Sequence, residues 1–319
     1  MATQTTLESV RRARRGVAVA GRGRPGARPP RRLSSTALTL ILFAAPAVLL
    51  LLLLNLYPVL YAGQQSLRNG DLVDAGTFVG LQNYATVLSS PEFWHAAWFT
   101  IVFTVVGVFG SWAIGLGLAL LLRTRVPANG LLKVLLLLPW VVPIVVSSTS
   151  WNWLVATPQS PLPLLAKALG FGDVLFLADP FLAQVTVCVF KVWVSFPFMM
   201  MMMSSALASV DTTVYEASRV DGASGWKTFR YITLPMISRS TYISWILMTI
   251  FCVNDFPTIF LLTGGGPVNA TQTLVVLAYT TVFQNFQTGP GVAIAFLMTI
   301  VLIIVSVTLY RQIRKAAIE

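Results

Sequence analysis

Six long apolar stretches constrain this chain more than any other feature of its sequence. They lie near residues 38–62, 94–122, 131–156, 183–207, 241–263 and 290–310. Each is long enough for the roughly 20 residues that an α-helix needs to cross a bilayer. Only 10% of the chain is charged, whereas a soluble domain of ordinary composition carries about 25%. The sequence therefore predicts an all-α, polytopic membrane protein with about six transmembrane helices.

Lysine and arginine are distributed unevenly between the two sides of these stretches. The N-terminus, the second–third and fourth–fifth connections and the C-terminus contain nearly all of them, while the other side has only Arg68 and Lys167. Because short connections rich in Lys and Arg stay in the cytoplasm, we expect both termini there, in a bacterial inner membrane. Topology thus explains the net charge of +11, and no nucleic-acid partner is predicted.

Residues 1–36 form a segment rich in Arg, Gly and Pro that has no apolar run able to build a core. Such a composition predicts a disordered basic cytoplasmic tail. Its simplest role is to fix the orientation of the protein in the membrane. An arm that binds nucleic acid or lipid headgroups is the alternative interpretation.

Nothing in the composition indicates catalysis or a bound metal. His95 is the single histidine, and Cys188 and Cys252 lie inside apolar stretches without the spacing of a zinc site. The chain also lacks a phosphate-binding Gly-x4-Gly-Lys-Ser/Thr loop, since Gly225 to Thr228 does not match that pattern. We therefore expect no enzyme and no cofactor bound by this chain. Any ATP that drives transport must bind another chain.

The loop at 208–240 is the longest polar connection predicted on the inner side. Asp211 is a candidate N-cap for a short helix, and Gly222 can supply the positive φ at which that helix ends. Ser224 can cap a second short helix, which is expected to end before Pro235. Two short helices joined by a glycine turn would form a compact knob suited to the groove of a partner protein.

The spacing within this loop resembles the cytoplasmic EAA signature of permease subunits of binding-protein-dependent ABC importers. The matching positions are Glu216, Ala217, Ser218, Asp221, Gly222, Ala223, Ile232, Leu234 and Pro235. Ser218 stands where the family usually has a second alanine. Segments outside the loop are similar to the maltose-permease-like branch of carbohydrate importers, namely 56–58, 78–84, 138–140 and 262–267.

The resemblance implies a type I ABC importer permease fold over residues 37–319. The loop at 208–240 would then couple to an ATPase through the nine matching positions. The implied partners are a second homologous permease subunit, two ATP-binding subunits carrying ATP and magnesium, and an extracytoplasmic solute-binding protein. The implied cargo is a sugar, namely an oligosaccharide or a disaccharide. It would enter the cytoplasm by alternating access.

Two alternative functions remain open at this point. An ion-coupled secondary transporter tends to carry an intramembrane carboxylate relay and inverted repeats, and it would leave the loop signature unexplained. The other alternative is an importer permease for a non-sugar solute such as glycerol-phosphate, a cargo that a cationic outer cavity would favour. The outer connections contain only two basic residues, Arg68 and Lys167.

Two ionisable residues, Lys191 and Asp255, fall inside predicted spans, where charged groups are costly and usually face a cavity or a partner. With Asn254 they are candidates to bind sugar hydroxyls, or else Lys191 and Asp255 form a buried pair that holds the helices together. Lys191 precedes Trp193 by two positions, whereas the related permeases often have lysine directly after tryptophan. The other candidates for the substrate pathway are Asn152, Trp153, Trp193 and Ser195. Trp153 is alternatively part of an interfacial aromatic belt, and Trp193 part of the packed core.

Two further patterns predict packing. The glycines of the second stretch, Gly107, Gly110, Gly115 and Gly117, are expected to allow close helix–helix approach. The connection at 264–289 has no charge and contains an apolar run at 274–283 that is too short to span a membrane. We expect this run to be an outer-face helix that packs on the bundle or lines a cavity.

Overall fold

A computed structural model describes residues 35–74, 76–123 and 127–316. Its helices are α1 (Ser35–Ser66), α2 (Gln82–Ser89), α3 (Pro91–Leu121), α4 (Asn129–Val141), α5 (Ile144–Val155), α6 (Pro161–Ala168), α7 (Pro180–Ala208), α8 (Thr212–Val220), α9 (Gly225–Thr228), α10 (Leu234–Val253), α11 (Phe256–Leu262), α12 (Leu274–Tyr279) and α13 (Thr288–Ala316). Two π-helical turns, Phe229–Thr233 and Thr280–Gln284, follow α9 and α12. The tail predicted at 1–36 lies outside the described residues, except for its last two, which begin α1.

The chain divides after Tyr57 into two compact units. The division falls within α1, and helices α2 to α13 belong to the second unit. Within the described residues, five helical stretches are long and apolar enough to cross a membrane: Leu42–Ser66, Pro91–Leu121, Pro180–Ala208, Gly225–Val253 and Thr288–Gln312. The pair α4 and α5 makes a sixth if it is counted as one bent span. The prediction of an all-α membrane protein with about six spans is confirmed.

The third predicted span, 131–156, is not one continuous helix. It consists of α4 and α5, whose axes differ in direction by 90°. Val142, between them, is extended with φ −67° and ψ 133°. The reason is Pro143, which has no N–H to donate and whose ring disfavours the helical conformation of the residue before it.

The fifth span also differs from its prediction of 241–263. The helical stretch begins at Gly225, continues through the π-helical turn and ends at Val253. The expectation that the second loop helix ends before Pro235 is therefore wrong. Pro235 lies in the first turn of α10, directly after the π-helical turn, and the helical stretch continues past it. The chain is interrupted instead at Asn254 and Asp255, before α11 begins.

Helices α3 and α7 approach closely at glycines of α3. A Cβ atom at Gly110 would lie 2.7 Å from Val192 Cγ2, and one at Gly115 would lie 2.6 Å from the backbone nitrogen of Met200. A Cβ at Gly107 would lie 2.8 Å from Cys252 Sγ. The predicted role in close packing is confirmed for these three glycines. It is wrong for Gly117, where no described atom comes within 4 Å of the added Cβ.

The apolar run at 274–283 forms α12 and the π-helical turn that follows it. Leu274, Val276 and Leu277 are buried, and the Leu274 N–H donates to Thr100 Oγ1 on α3 at 2.9 Å. The run is thus a short helix packed on the bundle, as one of the two expectations had it. Its position on the outer side of the membrane stays a prediction.

The two glycines at 115 and 117 provide a matched test of the α3–α7 contact. We expect Gly115→Ala to lower the free energy of unfolding by about 1–3 kcal/mol, because the new methyl group collides with backbone atoms of α7 that cannot rotate away. Gly117→Ala is expected to be neutral or to stabilise by about 0.5–1 kcal/mol, since it only raises helix propensity. The thermal unfolding midpoints of the detergent-purified variants measure both effects, and equal midpoints would contradict the contact.

Candidate functional site

The segment at 211–235, called the knob below, begins with a capped helix. The Asp211 carboxylate accepts a hydrogen bond from the Thr213 N–H at 2.9 Å, which satisfies one of the free donors at the start of α8. This backbone bond, together with a side-chain hydrogen bond from Thr213, holds the pKa of Asp211 below its usual value. The charged cap therefore contributes stability at and above the ordinary pKa of aspartate, and loses it only as the pH falls through the lowered pKa.

A glycine turn ends α8 as the sequence predicts. Gly222 has φ +73°, its N–H donates to the Arg219 carbonyl at 3.1 Å, and the Ala223 N–H donates to the Ser218 carbonyl at 2.9 Å. This pair of bonds is the Schellman arrangement, in which a residue of positive φ closes the helix and satisfies its last carbonyls. The direction of the chain after α8 is therefore fixed by backbone geometry.

The second half of the knob begins at Ser224, whose hydroxyl accepts from the Lys227 N–H at 3.4 Å. After α9 the chain continues through the π-helical turn into α10. The knob is packed on the bundle by Tyr215, Phe229 and Leu234, which contact a buried cluster that includes residues of α3 and α7. The Arg123 guanidinium lies 4.5 Å above the centre of the Tyr215 ring, a cation–π geometry that adds to this contact.

The nine loop positions singled out by their spacing fall into three groups by exposure. Glu216, Ala217, Asp221, Gly222 and Pro235 are exposed, and Ala223, Ile232 and Leu234 are half-buried. Ser218 is buried, and its hydroxyl donates to the Tyr215 carbonyl at 2.8 Å. The small residue at 218 therefore packs inward, while the first group is available to a partner.

Three exposed apolar or aromatic side chains on the knob were not among the predicted site residues. Val220 is 88% exposed, Trp226 is 70% exposed and Tyr231 is 72% exposed. Large apolar groups that remain uncovered on a small polar segment are typical of a protein–protein contact. In the sequence, Val220 and Trp226 lie near predicted helix ends and Tyr231 lies within the second predicted helix, in a loop otherwise rich in polar residues.

A cleft of about 400 Å³ opens where both helix interruptions meet. Its lining includes Val142 and Pro143 from the bend between α4 and α5, and Asn254 and Asp255 from the break after α10. Lys191 and Ser195 of α7 also line it. Irregular backbone at membrane depth occurs where it is buried in protein or lines a cavity, so this cleft accounts for both interruptions.

Lys191 and Asp255 form a buried ion pair. The Lys191 Nζ donates to Asp255 Oδ2 at 2.7 Å, and the two side chains are 7% and 9% exposed. Asp255 is also the N-cap of α11, since Oδ1 accepts from the Thr258 N–H at 3.1 Å and Oδ2 accepts from the Thr258 hydroxyl at 2.8 Å. The pairing alternative of the sequence analysis is thus present, and the same two residues lie at the cleft.

Aromatic side chains form one wall of the cleft. Trp140 is 38% exposed and Phe251 is 44% exposed. Both contact Phe198. The centroid of the Phe198 ring lies 5.2 Å from that of Trp140, in a stacked geometry, and 5.8 Å from that of Phe251. On the polar side, Ser195 Oγ is buried and has no hydrogen-bond partner within the described residues. The cleft thus combines apolar ring faces with a hydroxyl that has no partner among the described residues.

Three predicted pathway residues lie elsewhere. Trp193 packs with Trp151 and Phe190 in a buried aromatic cluster, at ring-centroid distances of 5.5 Å and 5.9 Å. The Asn152 side-chain amide donates to the Leu262 carbonyl at 3.2 Å and so ties α5 to α11. Trp153 is 68% exposed and borders a second hollow of about 530 Å³. The structure therefore brings Lys191, Ser195, Asn254 and Asp255 together and separates the other three from them.

Two lysine–aspartate pairs in the described part of the chain allow a direct comparison of buried and exposed charges. Lys191→Met leaves Asp255 as an unpaired buried anion, and we expect a loss of about 3–5 kcal/mol in stability. Asp173→Asn breaks the exposed Lys167–Asp173 pair, which has a similar distance of 2.8 Å, and we expect a change of about 0–1 kcal/mol. Chemical unfolding in detergent measures both variants. Equal effects would show that Asp255 is not buried as described.

Comparison with known proteins identifies the family. Residues 111–318 match the model of the binding-protein-dependent transport system inner membrane component. The trehalose/maltose transport system permease protein MalF of Thermococcus litoralis is 32% identical over 276 residues, 86% of this chain and 92% of that protein. A probable ABC transporter permease protein of Sinorhizobium fredii is 35% identical over 302 residues, 93% of this chain and 97% of that protein.

A solved structure supports the same fold. A chain of a bacterial ABC transporter involved in the import of the acidic polysaccharide alginate superposes with a TM-score of 0.77 at 17% identity, covering 88% of this chain and 96% of that chain. At this identity the likeness concerns the fold alone. The family match over 111–318 and the relatives above 30% identity show the family. The chain belongs to the binding-protein-dependent transport system inner membrane components, the multi-pass permease subunits of ABC transporters.

Proposed function

We propose that this chain is one of two permease subunits of an ATP-driven importer that moves a sugar into the cytoplasm by alternating access. A second homologous permease completes the pathway, two ATP-binding subunits carry ATP and magnesium, and an extracytoplasmic solute-binding protein delivers the cargo. The N- and C-termini are cytoplasmic, and the transmembrane domain extends over 37–319. The observation that carries the proposal is the knob, a rigid surface segment built from the family's loop signature.

The surface of the knob supports docking into an ATPase. Glu216 contributes an exposed charge, while the uncovered Val220 and Trp226 offer apolar area to a groove. The turn at Gly222 presents α8 and α9 at a fixed angle. Because the knob is stabilised by its own caps and by Tyr215, it can transmit force without first becoming ordered. The distribution of Lys and Arg supports its location in the cytoplasm.

The cleft supports a carbohydrate cargo. Sugars present apolar CH faces and many hydroxyl groups, and binding sites for small polar ligands combine apolar walls with a few directed polar groups. Trp140 and Phe251 supply the apolar wall, and Ser195, Asn254 and the Lys191–Asp255 pair supply the polar one. Relatives named for trehalose and maltose transport agree with such a cargo.

The mechanism follows from how these elements are joined. When ATP draws the two ATPase subunits together, the knob moves with its groove and displaces the stretch Gly225–Val253. The interruptions at Val142 and at Asn254 then allow the segments beyond them to change angle without breaking helical hydrogen bonds. The cleft between these interruptions opens alternately to the two sides of the membrane.

Affinity purification from gently solubilised membranes tests the assembly. We expect mass spectrometry of the co-purifying chains to find a second six-span permease, an ATPase with a phosphate-binding loop and a solute-binding protein. Recovery of this chain alone, active in uptake without ATP, would overturn the proposal in favour of a secondary transporter. The recovered binding protein would then serve to screen sugars.

The glycine turn of the knob can be tested with two substitutions. Gly222→Val forces a β-branched residue into positive φ, which costs about 1–2 kcal/mol and alters the angle between α8 and α9. We expect the variant to assemble and to lose most cargo-stimulated ATPase activity. Gly225→Ala is the matched control, because φ there is ordinary and no described atom lies near the added methyl group. Normal coupling in Gly222→Val would contradict the docking role.

The aromatic wall of the cleft can be tested through uptake. Trp140→Ala removes a ring face from the cleft, and we expect the apparent affinity for cargo to fall about tenfold, equivalent to about 1.4 kcal/mol, while ATPase assembly is retained. Trp98→Ala is the control, since Trp98 is 65% exposed and does not line the cleft. Equal uptake kinetics in the two variants would remove Trp140 from the pathway.

A further inference from the structure

The charge of the cleft is concentrated in one pair of residues. Of the described residues that line it, only Lys191 and Asp255 have ionisable side chains, and they are bonded to each other at 2.7 Å. We propose that this pair is a charge filter, through which the cleft admits neutral polyols and excludes anionic solutes such as sugar acids and sugar phosphates. The proposal rests on the cleft being the cargo path.

Anions are excluded because the two charges of the cleft, Lys191 and Asp255, are already paired with each other. An anionic solute in the cleft would need a cation, and among the described lining residues Lys191 is the only one. If Lys191 turned to the solute, Asp255 would remain as an unpaired charge at 9% exposure, which is strongly unfavourable. Asp255 cannot move out to water either, because Thr258 binds both of its oxygens as the cap of α11.

A neutral polyol meets no such obstacle. Its hydroxyl groups can bond to the unpartnered Ser195 hydroxyl and to the exposed Asn254 side chain without separating the ion pair. Its apolar faces can rest on Trp140, which is part of the same lining. The two kinds of solute therefore differ in whether their entry breaks the Lys191–Asp255 bond.

One substitution should reverse this selectivity. Asp255→Asn keeps the shape of the side chain and an oxygen that can still cap α11, but it leaves Lys191 with an uncompensated positive charge. A positive charge in a cleft with low-dielectric walls raises the local concentration of anions. The double variant Lys191→Met/Asp255→Asn removes both charges, so the cleft becomes neutral again.

The test measures entry of a small anion and a small neutral molecule with the fluorescence of Trp140. The full chain is purified with its partner subunits in lipid nanodiscs, and the Trp140 signal is the difference from the same protein carrying Trp140→Phe. Iodide is the anionic quencher and acrylamide the neutral one. In the unmodified protein we expect acrylamide to quench Trp140 and iodide to have little effect.

The variants should separate charge from loosened structure. Asp255→Asn is expected to raise iodide quenching by at least about threefold with acrylamide quenching unchanged, while Lys191→Met/Asp255→Asn returns iodide quenching to its original level. Asp173→Asn, which removes a carboxylate from the exposed pair, should change neither value. If Asp255→Asn raises quenching by both molecules alike, the pair is structural only and the filter is overturned.

Quenching of Trp140 in the unmodified protein tests the charge filter separately from the cargo path. Equal quenching by iodide and acrylamide would overturn the charge filter and leave the cleft as an aqueous path. Failure of acrylamide to reach Trp140 would overturn the path itself, and the filter with it. An iodide effect that persists in the double variant would also overturn the filter, because Lys191 is the only cation among the described residues of the cleft lining.

Discussion

The carboxylate of Asp255 stabilises the interruption between α10 and α11. Asp255 accepts a hydrogen bond from Lys191 of α7 and two from Thr258 of α11. In a membrane, a broken helix must satisfy its freed backbone groups within the protein, and the cap at Asp255 does so for the start of α11. A buried carboxylate needs a balancing charge, which Lys191 provides. The break and the cleft beside it therefore both depend on this pair.

Local features of the knob were predictable, whereas the continuity of its last helix was not. Caps at Asp211 and Ser224 and the positive φ of Gly222 are decided within a few residues, so the sequence indicates them directly. Pro235 is ambiguous, because proline suits the first turn of a helix as well as the position after one. The π-helical turn that resolves this ambiguity packs through Phe229 on helices far away in the sequence.

The cleft could be predicted only in part, for a related reason. Hydropathy identifies Lys191 and Asp255 as unusual, but it cannot say that residues 64 positions apart bond to each other. Averaging over a window likewise reports one span at 131–156, although the axis turns by 90° within it. Trp140 joins the cleft because of that turn. For Trp193 the sequence left the cleft and the packed core open, and the structure places it in the cluster with Trp151 and Phe190.

The stretch Gly225–Val253 connects the two candidate sites. It has 29 residues and so extends about 43 Å, from the second half of the knob to the break at Asn254. Under the proposed mechanism, a displacement of the knob is passed along this stretch, and the first interruption it meets after the π-helical turn is the one held by Lys191 and Asp255. Under the same mechanism, we expect relative motion of α10 and α11 to be concentrated at the pair that supplies the charge of the cleft.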